Sequence, residues 1–397
     1  MGDLMREVYN RFDTRYAMLC RQPIRRLCYK LEILDWYEFP TEELTDLLID
    51  EGSITINRSQ GVRRSCSIVL ANINKESEPT QNSKFWYTRK FKLWSGMVDG
   101  AGNTIYWFSQ GVFLATAVSS TADGRLEITG VDKFGLFTAE YGASVLEAEH
   151  RIKAGTKITT AIRDIIQMDM GNQCVCDPVE PLFDVSLYGE EVPYDISTSA
   201  GQYIGDILVE LALCLGADIY YDTDGRLNVH SGTTDTHYRQ RGSQWVFEQN
   251  DINIVSLGSS AELGSAVNVV TVTGTDENDC HYYYTAENRD PTSPINVNAV
   301  GKRAAETIET SMGYSEQRCK EYAEYWLKEK SLIALSLSFE CVFLPHLDVD
   351  KNITITDEST MEQKRYIITA LTIPFGSIGS MSISATNIVD LLYYNEI

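Results

Sequence analysis

The sequence predicts a mainly β protein with an α+β insert, in which two antiparallel β-barrel or β-sandwich domains flank a small α/β domain. Two observations predict this architecture. A stretch of two alternating strands joined by a turn occurs twice, and between the copies the spacing of apolar residues changes from every second residue to every third or fourth. We therefore expect an N-terminal amphipathic arm over residues 1–26, a first β-domain over 27–147, an inserted α/β domain over 148–245 and a second β-domain with one helix over 246–397.

The repeated stretch is the main reason to expect two related domains. Gly124–Phe137 aligns without a gap on Gly379–Leu392, and with a longer loop in the first copy Lys92–Trp94 matches Asn352–Thr354. The paired positions are Phe113 with Ile368, Leu126 with Met381, Ile128 with Ile383, Asp132 with Asn387 and Leu136 with Leu391. Two alternating hairpins can also align by chance, but the match extends over two strands and favours a duplication.

The N-terminal segment has the spacing of an amphipathic helix. Apolar residues recur at intervals of three and four, at Met5, Val8, Phe12, Tyr16 and Leu19. The pattern predicts a helix within Met1–Arg26 that ends at Pro23. Since no partner for it is evident in its own domain, we interpret it as an arm that packs on a neighbouring subunit, with a frayed terminus as the alternative.

Short alternating strands separated by turn residues predict the first β-domain. Alternation is clearest in Ser65–Leu70, and Asp99–Asn103 has the composition of a hairpin turn. The predicted strands are Cys28–Leu34, Gly52–Asn57, Arg64–Ala71, Phe91–Gly96, Thr104–Thr116 and Arg125–Val131.

The inserted segment has helical spacing. Apolar residues three and four apart predict one helix around Ile158–Ile165 and a second over Ile204–Leu215. Ala217–Tyr221 and Arg226–His230 then form a predicted hairpin around the turn Asp222–Gly225.

The second β-domain combines a hairpin, a helix and the second copy of the repeat. Val267–Gly274 and His281–Glu287 predict the hairpin, and Ser315 can cap a helix with Cys319 and Leu327 on its buried face. The strands that follow are Ser331–Phe343, Asn352–Thr356, Tyr366–Ile373 and Met381–Ala385.

Charge and cysteine content exclude several classes of protein. The 397 residues carry a net charge of −22, which argues against tight binding of nucleic acid, although residues 1–30 hold seven basic against three acidic side chains. No apolar run approaches the roughly 20 residues that span a bilayer, and the N-terminus lacks the apolar region of a signal peptide. Nine cysteines without paired spacing indicate free thiols in a protein made in a reducing cytoplasm.

The sequence predicts no catalytic, cofactor-binding or metal-ligating residue, and no cofactor. Cys174 and Cys176 could be half of a tetrahedral metal site, but neither His150 nor His230 has ligand spacing, so two cysteines in a strand are the better interpretation. Asp222–Gly225 resembles the opening of a calcium loop without its closing glutamate, which favours a hairpin turn. A glycosidase stays open as an alternative, because two carboxylates brought together by folding leave no local motif.

Several segments resemble the baseplate or tail-tip hub proteins of tailed phages and phage-like contractile particles. Their order along the chain carries the resemblance, which extends over about Leu27–Leu392 and omits the N-terminal arm. The segments are Gly61–Cys66, Ile105–Phe113, Gly130–Phe134, Gly216–Leu227, Thr285–Asn288, Ser293–Pro294 and Leu344–Asp348.

The resemblance implies a homotrimeric structural protein of the virion rather than an enzyme. Each subunit of such a hub holds two tail-tube-like domains, so that three subunits present six similar domains to a sixfold tail tube and a threefold tip. The implied partners are the tail tube or distal tail protein, the tape-measure protein, and tip, spike or receptor-binding proteins. DNA would pass through the ring without specific binding, and no integral membrane association is implied. The place of action would be the tail tip, after assembly in the host cytoplasm.

Two other functions remain alternatives at this point. One is a tail-associated cell-wall hydrolase with its site in the insert at 148–245, and the other is a receptor-binding tip protein. Many hub relatives continue beyond the second tail-tube-like domain, and because this sequence ends at Ile397 we expect no appended hydrolase.

Overall fold

The fold is that of a computed structural model of the chain. It describes residues 6–58, 61–72, 83–86, 89–141, 146, 149–166, 177–192, 195–214, 217–231, 242–248, 251–261, 267–275, 280–291, 293, 295–310, 313–330, 335–356, 363–375 and 380–387.

The elements follow one another along the chain as mostly short strands with few helices. The strands of the first half are β1 (Arg6–Tyr9), β2 (Arg26–Leu34), β3 (Pro40–Glu43), β4 (Leu48–Asn57), β5 (Arg64–Ala71), β6 (Lys90–Val98), β7 (Thr104–Ser120), β8 (Arg125–Asp132), β9 (His150–Ile152), β10 (Leu182–Phe183), β11 (Ile196–Thr198), β12 (Ala217–Tyr221) and β13 (Leu227–Ser231). The remaining strands are β14 (Trp245–Phe247), β15 (Ile254–Ala261), β16 (Val269–Thr275), β17 (His281–Glu287), β18 (Ala305–Glu309), β19 (Leu335–Val342), β20 (Asn352–Thr356), β21 (Gln363–Pro374) and β22 (Ser380–Asn387). The helices are α1 (Thr14–Cys20), α2 (Ile158–Ile166), α3 (Ile204–Cys214), α4 (Val297–Val300) and α5 (Glu316–Lys330).

The chain forms two compact units. The first comprises residues 1–256, 340–353 and 368–383, and the second comprises 257–339, 354–367 and 384–397. The chain therefore leaves the first unit after residue 256 and returns to it at residue 340. The domain boundaries expected from the sequence, at 27, 148 and 246, stay a prediction.

The first unit is built on a large antiparallel sheet. Its strands lie in the order β21-β4-β5-β8-β7-β6-β2-β3. β5 shows why these residues form strands: Cys66, Ile68 and Leu70 are buried, while Ser65 and Ser67 between them are exposed. β4 and β8 pair antiparallel with the two edges of β5, so β5 is an interior strand of the sheet.

The helices of the inserted segment share a core with the end of the first β-region. Ile162 on α2 and Leu208 on α3 are fully buried in the same cluster as Phe134 and Phe137, which follow β8. The short sheet β10-β13-β12 contributes Ile219 to this cluster. One continuous apolar core therefore fixes the inserted segment on the β-sheet within the first unit.

The second unit holds a three-stranded sheet in the order β17-β16-β18, covered on one face by α5. Cys319, Ala323 and Leu327 recur at helical spacing and pack against Val270 and Val272 of β16. On the other face Tyr283 is exposed. This half-covered sheet follows the alternation expected of an antiparallel hairpin.

The prediction of a mainly β chain is confirmed. Among the described strands the sheets are open, and none closes into a barrel, which was one of the two predicted forms. β3 shows the physical reason at one edge: it has four residues, begins at Pro40 and carries Glu42 and Glu43, features that prevent further pairing. Within the described residues no helix is long and apolar enough to cross a membrane.

The prediction of one helix over Met1–Arg26 is wrong. Arg6–Tyr9 forms β1, which pairs in parallel with β7, and the helix begins only at Thr14. The side chain of Asp13 accepts hydrogen bonds from the backbone N–H groups of Arg15 and Tyr16 and so caps the helix. The apolar spacing continued across a strand and a cap, which is why it suggested a single element.

The two copies of the repeat form the same arrangement of strands. β6, β7 and β8 are neighbours in that order, and so are β20, β21 and β22. The matched residues Leu126 and Met381 are both fully buried, and so are Ile128 and Ile383. The alignment therefore joins two sets of three strands that have the same order and matched buried residues, although the strands that flank each set differ.

Candidate functional site

A cluster of paired charges lies at the start of β5. This arginine cluster consists of Arg58, Arg63, Arg64, Asp218, Asp348 and Asp350. Nη2 of Arg64 lies 2.7 Å from both carboxylate oxygens of Asp348, and Nη1 of Arg63 lies 2.5 Å from Asp350. Nε of Arg58 lies 2.7 Å from the other oxygen of Asp350. Three guanidinium groups thus face three carboxylates, and the cluster has no net charge.

The backbone of the two adjacent arginines is held by a buried carboxylate. Asp132, at the end of β8, accepts hydrogen bonds from the backbone N–H groups of Arg63 at 2.7 Å, Arg64 at 2.9 Å and Phe134 at 3.0 Å. Burial raises the pKa of Asp132 to about 6, and these backbone hydrogen bonds act in the opposite direction. Asp132 therefore fixes where the arginine side chains begin.

A bulge in β7 makes room for the arginine cluster. The pairing of β6 with β7 shifts by one residue, so that Leu93 faces Gly111, Trp94 faces Ser109 and Gln110 has no partner in the ladder. The amide of Gln110 donates to the backbone oxygen of Pro345 at 2.9 Å. Gly111 has φ +142°, and a Cβ there would meet the ring of Phe113 at 2.9 Å and the side chain of Arg64 at 3.3 Å. The bulge and the glycine together let segments distant in sequence meet.

A second group of buried charges lies where the inserted segment contacts the β-sheet. This lysine cluster consists of Glu38, Lys90, Lys133 and Asp177. Nζ of Lys133 pairs with Glu38, lies 2.7 Å from Asp177 and donates to the backbone oxygen of Gly225 at 2.7 Å. Nζ of Lys90 lies 2.8 Å from Glu38. Both lysines are fully buried, and two positive charges are offset by two negative charges.

Aromatic side chains surround His346 beside a cleft of about 310 Å3. The hydroxyl of Tyr16 and Nδ1 of His346 share a hydrogen bond of 3.0 Å. The rings of Phe12 and Trp245 lie 4.9 and 5.4 Å from the imidazole, measured between ring centroids. Burial lowers the pKa of His346 to about 3, so its imidazole is neutral at physiological pH. Arg63, Arg64 and Asp348 of the arginine cluster also line this cleft.

The charged side chains that line the cleft pair with one another, an arrangement that holds chain segments together and does not suit acid–base catalysis. Asp348 and Asp350 are both engaged by arginines, whereas a glycosidase needs one carboxyl group protonated and another able to act as base or nucleophile. Burial raises the pKa of Tyr220 to about 12, and the guanidinium of Arg63 lies 3.6 Å from the centre of its ring. Burial likewise raises the thiol pKa of Cys20 to about 11, so that this thiol is not a nucleophile near neutral pH.

The residues that the sequence raised as metal or catalytic candidates are dispersed. Cys174 and Cys176 lie outside the described residues. His150 lies on β9, and Nε2 of His230 lies 3.9 Å from Asp184. Among the described residues no group of three or more histidine, cysteine and acidic side chains could hold a metal ion.

The hairpin expected around Asp222–Gly225 is confirmed. The carboxylate of Asp222 accepts hydrogen bonds from the backbone N–H groups of Asp224 and Arg226, both at 2.9 Å. Gly225 has φ +76°, and β12 and β13 pair antiparallel on either side. A carboxylate closing its own turn is the ordinary Asx-turn arrangement.

No sequence motif marks the two charged clusters, although the sequence contains a signal for them. Lys90 begins β6 directly before Phe91, Lys133 follows β8 directly before Phe134, and Arg63 and Arg64 are adjacent where the alternating pattern of β5 begins. Charged side chains in such positions are almost never fully buried unless paired, so the sequence could have indicated buried partners. It could not have identified them, because Asp348 lies 284 residues from Arg64.

Four of the segments that carried the resemblance meet at this site. Arg63 and Arg64 come from Gly61–Cys66, and the bulge comes from Ile105–Phe113. Asp132 and Lys133 come from Gly130–Phe134. The carboxylate of Asp348 comes from Leu344–Asp348. Asp218 and Tyr220, in the part of Gly216–Leu227 that the structure describes, also contact Arg63. The resemblance was therefore carried by residues that pack together.

Comparisons with known proteins gave matches in structure but not in sequence. No family model and no curated protein matches the sequence. A tail protein from Neisseria meningitidis MC58 has a TM-score of 0.58 and 11% identity, with 91% of this chain and 97% of that chain covered. The 43 kDa tail protein of prophage MuSo2 from Shewanella oneidensis has a TM-score of 0.60 and 10% identity, with 92% and 99% covered. Prophage tail protein gp18 from Listeria monocytogenes EGD-e has a TM-score of 0.54 and 12% identity, with 90% and 94% covered.

These matches concern the fold, and they extend over nearly the whole of each chain. At 10 to 12% identity, similarity of individual residues carries no argument about shared activity. From its described elements and from these comparisons, the chain has the fold of phage and prophage tail proteins.

Proposed function

We propose that this chain is a structural protein of a phage-type tail, a trimeric baseplate or tail-tip hub that joins a sixfold tail tube to a threefold tip. The observation that carries the proposal is the repeated three-stranded arrangement, β6-β7-β8 and β20-β21-β22, in a chain whose fold is that of tail proteins. Two similar modules per chain allow three chains to present six, which matches a hexagonal partner. Chains that contact one another through two different surfaces form a ring when the rotation between them closes.

The paired charges support a role in holding chain segments together rather than a role in catalysis. In the arginine cluster, side chains from Arg63 and Arg64 at the start of β5, from β12 and from the segment of residues 348–350 neutralise one another. Such a cluster fixes the relative positions of segments, because a buried charge without its partner is costly. We therefore propose a structural role and not an enzymatic one.

The proposal extends to the partners and the channel. We propose that the hub contacts the tail tube or distal tail protein, the tape-measure protein, and a tip, spike or receptor-binding protein within the virion. DNA then passes through the ring during ejection. The net charge of −22 per chain supports passage without adhesion, since phosphates are repelled by an acidic surface.

The experiment that tests this function is direct. The purified chain, alone and with its tail partners, is measured by light scattering and imaged by electron microscopy along the particle axis. We expect three copies per particle and a ring with six similar lobes. A single copy per assembled tail, or a ring of three lobes without sixfold similarity, would contradict the proposal.

A further inference from the structure

Two exposed apolar patches of opposite charge lie at the two ends of strand β2. The basic patch consists of Met18, Arg21, Ile24, Arg26 and Ile252, and it precedes the strand. The acidic patch consists of Tyr37, Phe39, Glu42, Glu43 and Asp46, and it follows the strand. β2 has nine residues and therefore separates the patches by about 26 Å.

The basic patch is formed by segments that hydrogen bonds hold together. Arg25 donates to the side chain of Asn253, so the segments that carry Ile24 and Ile252 meet at this hydrogen bond. Ile24 is 86% exposed and Ile252 is 56% exposed. Met18 and Arg21 lie three residues apart at the end of α1, on the side opposite its buried residues. Arg21 lies 3.9 Å from Glu248, and its guanidinium lies 5.2 Å from the centre of the Trp245 ring, but its side chain stays 53% exposed. Together with the exposed Arg26 it keeps the patch basic.

The acidic patch lies on the turn between β2 and β3 and on the edge strand itself. Tyr37 and Phe39 are 67% and 68% exposed, although aromatic rings of this size are usually at least half covered. The turn is rigid, because the backbone N–H of Phe39 donates to Asp35 at 2.9 Å and Glu38 is anchored in the lysine cluster. Glu42 pairs with Lys84 at 2.5 Å, and Glu43 lies 3.9 Å from Nζ of Lys30, which also pairs with Glu32 at 2.8 Å. Asp46 adds a further carboxylate, so the patch stays acidic.

The chemistry of the two patches is complementary. Arginine side chains stack on aromatic rings and pair with carboxylates, and arginine, tyrosine and phenylalanine are enriched at the centres of protein interfaces. The basic patch offers arginines around aliphatic side chains, and the acidic patch offers aromatic rings beside glutamates. Residues 1–30 carry net +4 in a chain of −22, so a second copy of this chain is an oppositely charged partner for the basic patch.

We propose that the basic patch of one copy binds the acidic patch of the next copy, and that this head-to-tail contact closes the ring. The inference rests on the proposed ring and adds to it which surfaces meet. The two surfaces differ and lie at opposite ends of one strand. When two copies bind in this way, one copy keeps its basic patch exposed and the other keeps its acidic patch exposed. Repetition of such a contact gives either a closed ring or an open filament.

The test uses two variants of the full chain. Arg21→Glu with Ile24→Glu disables the basic patch, and Phe39→Arg with Glu42→Arg disables the acidic patch. Each variant alone should need at least a tenfold higher concentration than the wild type to assemble, measured by light scattering. An equimolar mixture should form a complex of two chains and no larger species, because one intact patch of each kind remains.

The outcomes separate this contact from the ring function itself. Variants that assemble like the wild type would overturn the contact and leave the ring intact. Variants that stay single both alone and when mixed would also overturn it, since the intact patches would have failed to bind. A wild-type chain that stays single within assembled tails would overturn the ring and this contact together.

Controls address folding and general surface charge. Val185→Glu changes an exposed apolar residue of the first unit that lies in neither patch, and it should assemble like the wild type. Circular dichroism should be the same for all variants. If a charge-reversal variant unfolds, Ile24→Ser takes the place of the basic-patch variant and Phe39→Ser takes the place of the acidic-patch variant. The expected results are the same.

Discussion

Arg64 shows how one side chain can hold distant segments in place. Its side chain is 2% exposed, its guanidinium pairs with both oxygens of Asp348, and its backbone N–H donates to Asp132. A charge in this position is stabilising only while its partner is present, because the cost of removing it from water must be offset.

The first prediction concerns this pair. Arg64→Met should lower the free energy of unfolding by about 3 kcal/mol, because it leaves Asp348 without its cation. Adding Asp348→Leu should recover part of that loss, since the unpaired charge is then removed as well. Urea denaturation followed by fluorescence would measure both. Equal losses in the single and double variants would show that the two side chains are not coupled.

The second prediction concerns His346 and pH. Its pKa is lowered by burial from 6.5 to about 3, so below pH 6.5 the unfolded chain binds a proton that the folded chain does not. This term leaves stability unaffected above pH 6.5 and lowers it by about 1.4 kcal/mol per pH unit as the pH falls from there towards 3. His346→Phe keeps an aromatic ring against Phe12 and Trp245 and should reduce the loss between pH 7 and 5, measured by urea denaturation. An unchanged pH profile in the variant would contradict the assignment.

At the scale of elements, α1 belongs to the core of its own unit. Tyr16, Leu19 and Cys20 are buried, and the ring of Tyr16 lies 4.7 Å from Phe108, between centroids. The seven-residue helix is too short to be stable alone, so its stability comes from this packing. An arm serving only a neighbouring subunit would not bury these residues within its own unit.

The third prediction compares two residues of α1. Tyr16→Ala should cost about 4 kcal/mol of unfolding free energy, because it removes a fully buried ring and the hydrogen bond to His346. Met18→Ala, on the exposed side of the same helix, should change the value by less than about 0.5 kcal/mol. Thermal unfolding by circular dichroism would show the difference. Similar effects of the two substitutions would mean that the helix is not docked as described.

Element type was predictable wherever the apolar period was regular. Arg64–Ala71, Ala217–Tyr221 and Asn352–Thr356 were predicted with the bounds that the structure has. β1 was missed because Val8 and Phe12 continue the helical spacing of α1 across a strand, and β3 because its four residues carry no apolar alternation. Such short elements form because a neighbouring strand offers free hydrogen-bonding groups, and this information is not local.

The charged clusters show the limit of local information more sharply. The sequence marked the segments around Arg63, Lys133 and Asp348 as related to one family, but it gave them no common location. Their pairing depends on the bulge at Gln110 and on the return of the chain to the first unit at residue 340. Neither a bulge nor a long return leaves a periodic pattern from which it could be read.

At the scale of the whole molecule, acidity limits what can bind. A ring of three chains would carry three times the charge of −22, and phosphate binding needs basic side chains to displace counterions.

The fourth prediction follows from this charge. The assembled protein should not retard double-stranded DNA in a gel even at about 50 mM salt, a concentration at which phosphate-binding proteins bind strongly. A basic DNA-binding protein of similar size is the positive control. Retardation that weakens steeply with salt would show an exposed basic surface and contradict passage without adhesion.

The bond between Tyr16 and His346 joins residues that are 330 positions apart. A ribosome that adds about 5 to 20 residues per second needs roughly 15 to 70 seconds to travel between them. During that interval the first helix has been made but His346 has not, and Arg63 and Arg64 are made 287 and 284 residues before Asp350 and Asp348. The nascent polypeptide can pair β1 with β7 and pack Tyr16 on Phe108 early, but a chain translated from a messenger truncated before codon 346 would lack the imidazole that Tyr16 binds.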